Sequence, residues 1–191
     1  GTITRQKLPY QTDRAGRVAA YLFLPEAGAQ TTPGPAVLCL QQTNRAGKLE
    51  PAGIAGNPEL AHALHLARRG YVTLAPDYPG FGESDYDFSA RHGYASGSMK
   101  AVWDNIRSVD FLLTLKQVDS ERIGVIGHSL GGHNAMFTAA FDTRLRVIVS
   151  NSGFTRFHKD DVPSWTGPRY MPFIRTRFGN EANQIPFDFP E

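Results

Sequence analysis

Ser129 is the residue whose surroundings in the sequence most clearly indicate chemistry. An apolar run at 123–126 leads into G-H-S-L-G at 127–131, a G-x-S-x-G pattern. Glycines on both sides of a serine are typical of a tight strand-to-helix turn, because the two backbones approach too closely there for larger side chains. Such a turn holds the hydroxyl at the N-terminus of a helix, where a developing negative charge is stabilised. The pattern predicts a nucleophile; the alternative is a serine that only caps the helix.

A serine hydroxyl is a weak nucleophile and needs a base within hydrogen-bonding distance. Two histidines follow Ser129 in the sequence, His133 and His158. His133 comes one helical turn after the serine, where a structural role is expected, so His158 is the candidate base. The neighbouring Asp160 and Asp161 are candidate acids, and the alternative for this pair is a solvated turn.

The elements that must position Ser129 follow from alternating apolar runs and amphipathic segments. Strands are predicted at 2–9, 17–25, 36–40, 71–75, 123–126 and 145–150, and helices from Pro58 to Gly70, over 98–118, and from the serine to about Phe141. Short apolar strands separated by amphipathic helices predict an α/β fold. Its sheet is expected to be mostly parallel, with helices on both faces and an antiparallel pair at the N-terminal edge. Sites in such sheets lie at the carboxyl ends of the strands, as Ser129 does.

A second motif, D-Y-P-G-F-G-E-S at 77–84, resembles the D-x-x-G-x-G-x-S loop after the fourth strand of many α/β-hydrolases. With the serine motif, it makes the chain resemble the α/β-hydrolase superfamily over nearly its whole length. The stretch at 42–53 is similar to dienelactone-hydrolase-like and acetyl-xylan-esterase-like proteins. The resemblance implies a serine hydrolase that cleaves a small carboxylic ester through an acyl-enzyme at Ser129. It also implies an oxyanion hole formed by the backbone N–H groups of Leu130 and Gln42, or of Thr43 in place of Gln42.

The resemblance divides the chain into a hydrolase core over 1–150 and a cap- or lid-like segment over 151–191, the cap segment, rich in aromatic residues and proline. In α/β-hydrolases, further strands follow such a segment and contribute the triad acid and histidine. The last strands of the fold are therefore expected to lie beyond residue 191, in a C-terminal segment or a second chain. The alternatives are a thioesterase or peptidase on the same fold, and a non-catalytic binding or scaffold protein.

Composition narrows the classes of function. The 191 residues carry a net charge of +2 with scattered basic side chains, which gives no support to nucleic-acid binding. The single cysteine, Cys39, and the absence of C-x-x-C or H-E-x-x-H spacing predict no metal site, and no cofactor is expected. No apolar run is long enough to span a membrane. The chain begins at Gly1, which leaves open a removed leader or a trimmed start, and either a cytoplasmic or an exported protein.

Overall fold

The computed structural model describes residues 2–14, 16–25, 32–88, 93–159 and 162–188. Six strands form one mixed sheet in the order β1-β2-β4-β3-β5-β6. Strands β3 to β6 are parallel to one another, while β2 is antiparallel to both β1 and β4. The strands are β1 (Ile3–Gln11), β2 (Arg17–Pro25), β3 (Gly34–Leu40), β4 (Val72–Pro76), β5 (Val118–His128) and β6 (Leu145–Asn151). The predicted α/β fold, with its antiparallel N-terminal edge, is confirmed.

Helices pack on both faces of the sheet, as continuous apolar strands require. The helices are α1 (His62–Ala67), α2 (Gly97–Leu113), α3 (Leu130–Phe141), α4 (Val162–Trp165) and α5 (Pro172–Phe178). On one face, Leu38 of β3 shares an apolar cluster with Leu112 of α2 and Ala135 of α3. On the other face, the next residue, Cys39, packs with Ala63 of α1. Because successive side chains of a strand point to opposite faces, β3 anchors both layers.

Two predicted helices differ from the observed ones at their ends. The helix predicted over 98–118 ends at Leu113, because the Thr114 hydroxyl donates to the carbonyl of Phe111 and the chain then turns into β5 at Val118. The helix predicted to begin at Pro58 is interrupted at Ala61. A short 3-10 turn comes first, capped by the side chain that precedes it, and α1 follows.

Strand β6 forms the edge of the sheet beyond β5 and is apolar but exposed. Val147 is 59% exposed, and Ile148 and Val149 are each 43% exposed, although they belong to the parallel part of the sheet. The cap segment then continues as short helical turns that include α4 and α5, with 3-10 turns at Phe157–Lys159 and Ala182–Gln184. The division of the chain near residue 150 stays a prediction.

Candidate active site

The turn between β5 and α3 holds Ser129 in a strained backbone conformation. Its φ and ψ are 52° and −116°, a region that residues other than glycine rarely occupy. A Cβ at Gly127 would overlap the backbone of Gly131. A Cβ at Gly131 would in turn overlap the carbonyl oxygens of Leu40 and Gln41, at the end of β3. Close backbone approach therefore requires both glycines of the G-x-S-x-G motif, as the sequence predicts.

The backbone of Ser129 is fixed on both sides, while its side chain is not used as a helix cap. The Ser129 N–H donates to the carbonyl of Asn151 at 2.8 Å, and the Ser129 carbonyl accepts from the His133 N–H at 2.9 Å. Ser129 is half-buried and its side chain makes no capping hydrogen bond to α3. The structure therefore does not support the alternative in which this serine only caps the helix.

His133 has the structural role expected for it. The imidazole contacts the rings of Phe137 and Trp165, with both ring centroids 4.6 Å away. Neither ring nitrogen has a hydrogen-bond partner among the described residues. Burial lowers the pKa of His133 to about 4, so the imidazole is neutral at pH 7.

The predicted oxyanion hole uses two segments that pack against each other. Leu130 is the first residue of α3 and is buried, and the N–H groups in the first turn of a helix have no partner within the helix. Gln42 lies in the loop after β3, and the contact of Gly131 with the Leu40 and Gln41 carbonyls brings that loop against the same first turn. We call residues 41–57 the oxyanion loop. The roles of Leu130 and Gln42, and of Thr43 as the alternative, stay predictions.

A buried ion pair connects the oxyanion loop to the loop after β4. The Lys48 ammonium lies 2.6 Å from Asp77 Oδ2 and 2.7 Å from Glu83 Oε1, with the lysine and aspartate side chains each 1% exposed. The Lys48 backbone N–H also donates to Asp77 Oδ1 at 2.8 Å, and the Glu83 N–H donates to Asp77 Oδ2 at 3.0 Å. Sequence reasoning missed Lys48 because its partner is 29 residues away and neither residue belongs to a pattern that signals the pairing.

An aromatic wall lies beside Leu130. The rings of Tyr78 and Phe81 are 5.7 Å apart and pack with Leu130 in one buried cluster. Tyr170 of the cap segment packs against this cluster, with its ring centroid 6.5 Å from that of Tyr78. The Tyr170 hydroxyl also lies 3.5 Å from the Thr43 hydroxyl in the oxyanion loop. The cap segment thus contributes an aromatic side chain to the same end of the sheet.

His158, the candidate base, makes its recorded contacts within the cap segment. Its Nε2 is 3.0 Å from the carbonyl oxygen of Ile185, and its Nδ1 is 3.3 Å from Asp188 Oδ2. Both ring nitrogens therefore face acceptors on residues that follow the histidine in the chain. The candidate acids Asp160 and Asp161 lie outside the described residues.

The described ranges contain no group of three or more His, Cys, Asp or Glu side chains placed to hold a metal ion. Nor do they contain a helix with the length and apolar character needed to cross a membrane.

The chain matches one family model and is similar to known hydrolases and esterases. The prolyl oligopeptidase family model matches residues 58–184. The 2,6-dihydropseudooxynicotine hydrolase of Paenarthrobacter nicotinovorans is 36% identical over 137 residues, covering 71% of this chain and 32% of that protein. Acetyl esterase Axe7A of Xylanibacter ruminicola is 26% identical over 162 residues, covering 75% and 34%. The glucuronoyl esterase structure from Solibacter usitatus has a TM-score of 0.64 at 20% identity, covering 97% of this chain and 59% of that one.

These matches differ from the present chain in length. The chain spans less than half the length of the curated relatives it matches, between 13% and 47%. The relatives therefore contain substantial polypeptide that has no counterpart in residues 1–191.

Proposed function

Because the chain belongs to the prolyl oligopeptidase family, within the α/β-hydrolase superfamily, we propose that it is a serine hydrolase acting on a small carboxylic ester. The observation that best supports this is the conformation of Ser129. The residue has a strained backbone at φ 52°, its main chain is fixed by β6 and α3, and its hydroxyl is not used as a cap. Strain of this kind costs on the order of 1–3 kcal/mol, and residues that carry it cluster at active sites and switch regions.

In the proposed reaction, the Ser129 hydroxyl attacks the ester carbonyl while a base takes its proton. The negative charge that develops on the carbonyl oxygen is stabilised by the backbone N–H groups of Leu130 and Gln42 and by the N-terminus of α3. The alcohol leaves with the proton, and an acyl-enzyme remains on Ser129. Water, activated by the same base, then attacks the acyl group and releases the acid.

We place the base and its carboxylate partner outside residues 1–191, in further polypeptide of the same protein or in a second chain. Two observations support this proposal. The ring nitrogens of His158 face the Ile185 carbonyl and the Asp188 carboxylate. In addition, β6 has exposed apolar side chains on both faces, whereas strands of a parallel sheet are normally covered. A further strand paired with the edge of β6, together with its connecting helices packed on the two faces, would cover these side chains.

The choice of an ester rests on the relatives and on the aromatic wall. Axe7A is named an acetyl esterase. The half-buried ring of Tyr170, which packs on the buried rings of Tyr78 and Phe81, provides an apolar surface suited to a small acyl or aryl group. The family also contains peptidases, so an amide substrate is the second candidate.

Labelling with a fluorophosphonate tests the nucleophile directly. In the full-length gene product, we expect the probe to attach to Ser129, as located by mass spectrometry of the labelled peptide. Failure to label would contradict the proposal and favour a non-catalytic binding protein. A panel of p-nitrophenyl acetate, an acetyl thioester and a peptide p-nitroanilide then tests the substrate class. We expect the highest kcat/KM for the ester, and a higher value for the anilide would identify a peptidase instead.

A further inference from the structure

Glu50 is a buried carboxylate in the middle of the oxyanion loop. It is 1% exposed, and its Oε1 accepts three hydrogen bonds. The donors are the side-chain amide of Gln42 at 3.1 Å, the side-chain amide of Asn44 at 2.8 Å and the backbone N–H of Asn57 at 3.0 Å. All three are neutral, unlike the cation that pairs with Asp77. All three donors therefore belong to the loop that contains the carboxylate.

These hydrogen bonds join the beginning of the oxyanion loop to its end. Gln42 comes two residues after β3, and Asn57 directly precedes the 3-10 turn that leads to α1. At Gly56, whose φ is +83°, a Cβ would lie 2.6 Å from Glu50 Oε1, so the backbone is shaped to admit the carboxylate. One oxygen atom thus closes a loop of about fifteen residues.

The Glu50 contacts are separate from the Lys48–Asp77 ion pair, which also fixes the oxyanion loop. Lys48 and Asp77 attach the middle of the loop to the neighbouring loop after β4. Glu50 fixes a different part, the residues immediately after β3. Losing the Glu50 carboxylate leaves the Lys48–Asp77 pair in place, so the loop stays attached to the core while Gln42 loses the acceptor of its side chain.

We propose that Glu50 is a positioning residue for the oxyanion hole, which fixes the Gln42 backbone through the hydrogen bond to the Gln42 side chain. This inference rests on the proposed function, in which the Gln42 N–H stabilises the oxyanion. A donor of that kind must lie at the position that the oxyanion will occupy, and a displacement of about 1 Å can cost on the order of 10²-fold in rate. A buried carboxylate is costly to keep unless it is well hydrogen-bonded, and here three donors converge on one of its oxygens.

Kinetics of Glu50→Ala and Glu50→Gln in the full-length protein test the inference, with p-nitrophenyl acetate as substrate. We expect kcat per labelled active site to fall by about 10²-fold in Glu50→Ala while KM changes little, because oxyanion contacts strengthen only in the transition state. Glu50→Gln keeps the shape and one acceptor oxygen and should recover much of the rate. The exposed Glu59, in the adjacent 3-10 turn, provides the matched controls Glu59→Ala and Glu59→Gln.

Equal kcat per labelled site in Glu50→Ala and Glu59→Ala would overturn the inference. So would a loss explained entirely by fewer sites that react with fluorophosphonate, since that indicates only a structural role. Backbone amide NMR shifts of residues 1–191 give a readout that does not need catalysis. The Gln42 amide resonance is expected to move in Glu50→Ala and not in Glu59→Ala, and an unmoved Gln42 resonance would overturn the inference. Failure of the wild-type protein to react with the probe would instead count against the proposed function.

Discussion

The turn at Ser129 and the cap segment both contain residues of the types found in catalytic triads, but the two regions use them differently. At Ser129 the backbone is fixed while the hydroxyl is not used as a helix cap. In the cap segment, the His158 nitrogens face the Ile185 carbonyl and the Asp188 carboxylate. A general base needs a ring nitrogen directed at the nucleophile. A histidine–aspartate contact therefore indicates catalysis only when the second nitrogen faces a reacting group.

Replacing Ser129 should give the largest loss of activity of the substitutions considered. We expect Ser129→Ala in the full-length protein to lose at least about 10³-fold in ester hydrolysis, since removing the nucleophile of a triad costs more than this in known cases. Ser152→Ala is the matched control, because Ser152 is exposed and also has a φ of 52°. Hydrolysis by Ser129→Ala at the wild-type rate would show that strain at this turn does not mark the nucleophile.

The ion pair that holds the loops beside Ser129 should contribute more to stability than a similar pair at the surface. Lys48→Met leaves Asp77 buried without its cation, and losing one partner of a buried pair costs about 3–5 kcal/mol in free energy of unfolding. Lys7→Met provides the control. Lys7 contacts the same Glu83 but is 52% exposed, and little change is expected. Urea unfolding of residues 1–191 measures the free energy of unfolding of both variants. Equal decreases would contradict the larger contribution expected of the buried pair.

His133 joins the two regions through its contact with Trp165, and the burial of its imidazole should make stability depend on pH. The pKa of His133 in the folded chain is about 4, below its unfolded value of 6.5. The unfolded state therefore binds more protons between these pH values, and stability falls as pH decreases from 6.5 to 4, by up to about 3 kcal/mol. His133→Phe should flatten this dependence in unfolding experiments at pH 7 and pH 4.5. Some dependence should remain, because burial also lowers the pKa of His62 to about 4.

The smallest effect is expected at His158. Because its nitrogens face acceptors in the cap segment, His158→Gln in the full-length protein should leave the rate of acylation by p-nitrophenyl acetate unchanged. A general base contributes about 10²–10⁴-fold, so a loss in that range would identify His158 as the base. Robust ester turnover by residues 1–191 alone would lead to the same conclusion and would place the whole triad within this chain.

The fold and the position of Ser129 were accessible from the sequence because their signals are local. The apolar runs of β3 and β5 predict strands buried on both faces, and Gly127 and Gly131 mark the close approach at the turn. Local signals placed helix ends less well, since the Thr114 hydroxyl ends α2 by bonding within its own last turn.

The ion pairs and hydrogen bonds that hold the loops of the candidate site were not predictable, because they join residues that are far apart in the chain. Lys48 looks like an ordinary surface charge in the sequence, and although Asp77 begins the D-x-x-G-x-G-x-S motif, only the packing of two loops buries the two side chains together. Glu50 is similar, since its three donors converge only after the loop folds back on itself. The environment of His158 depends on a carboxylate thirty residues later, at Asp188.

The positive φ of Ser129 also limits how selection can change this position. Glycine adopts this conformation without steric strain, and the strain relieved exceeds glycine's entropic cost, so Ser129→Gly should raise the melting temperature of the protein while removing the hydroxyl. A chain selected for thermal stability alone would drift towards glycine at residue 129. A serine here therefore lowers stability, and under the proposed function the hydroxyl compensates for that loss by acting as the nucleophile.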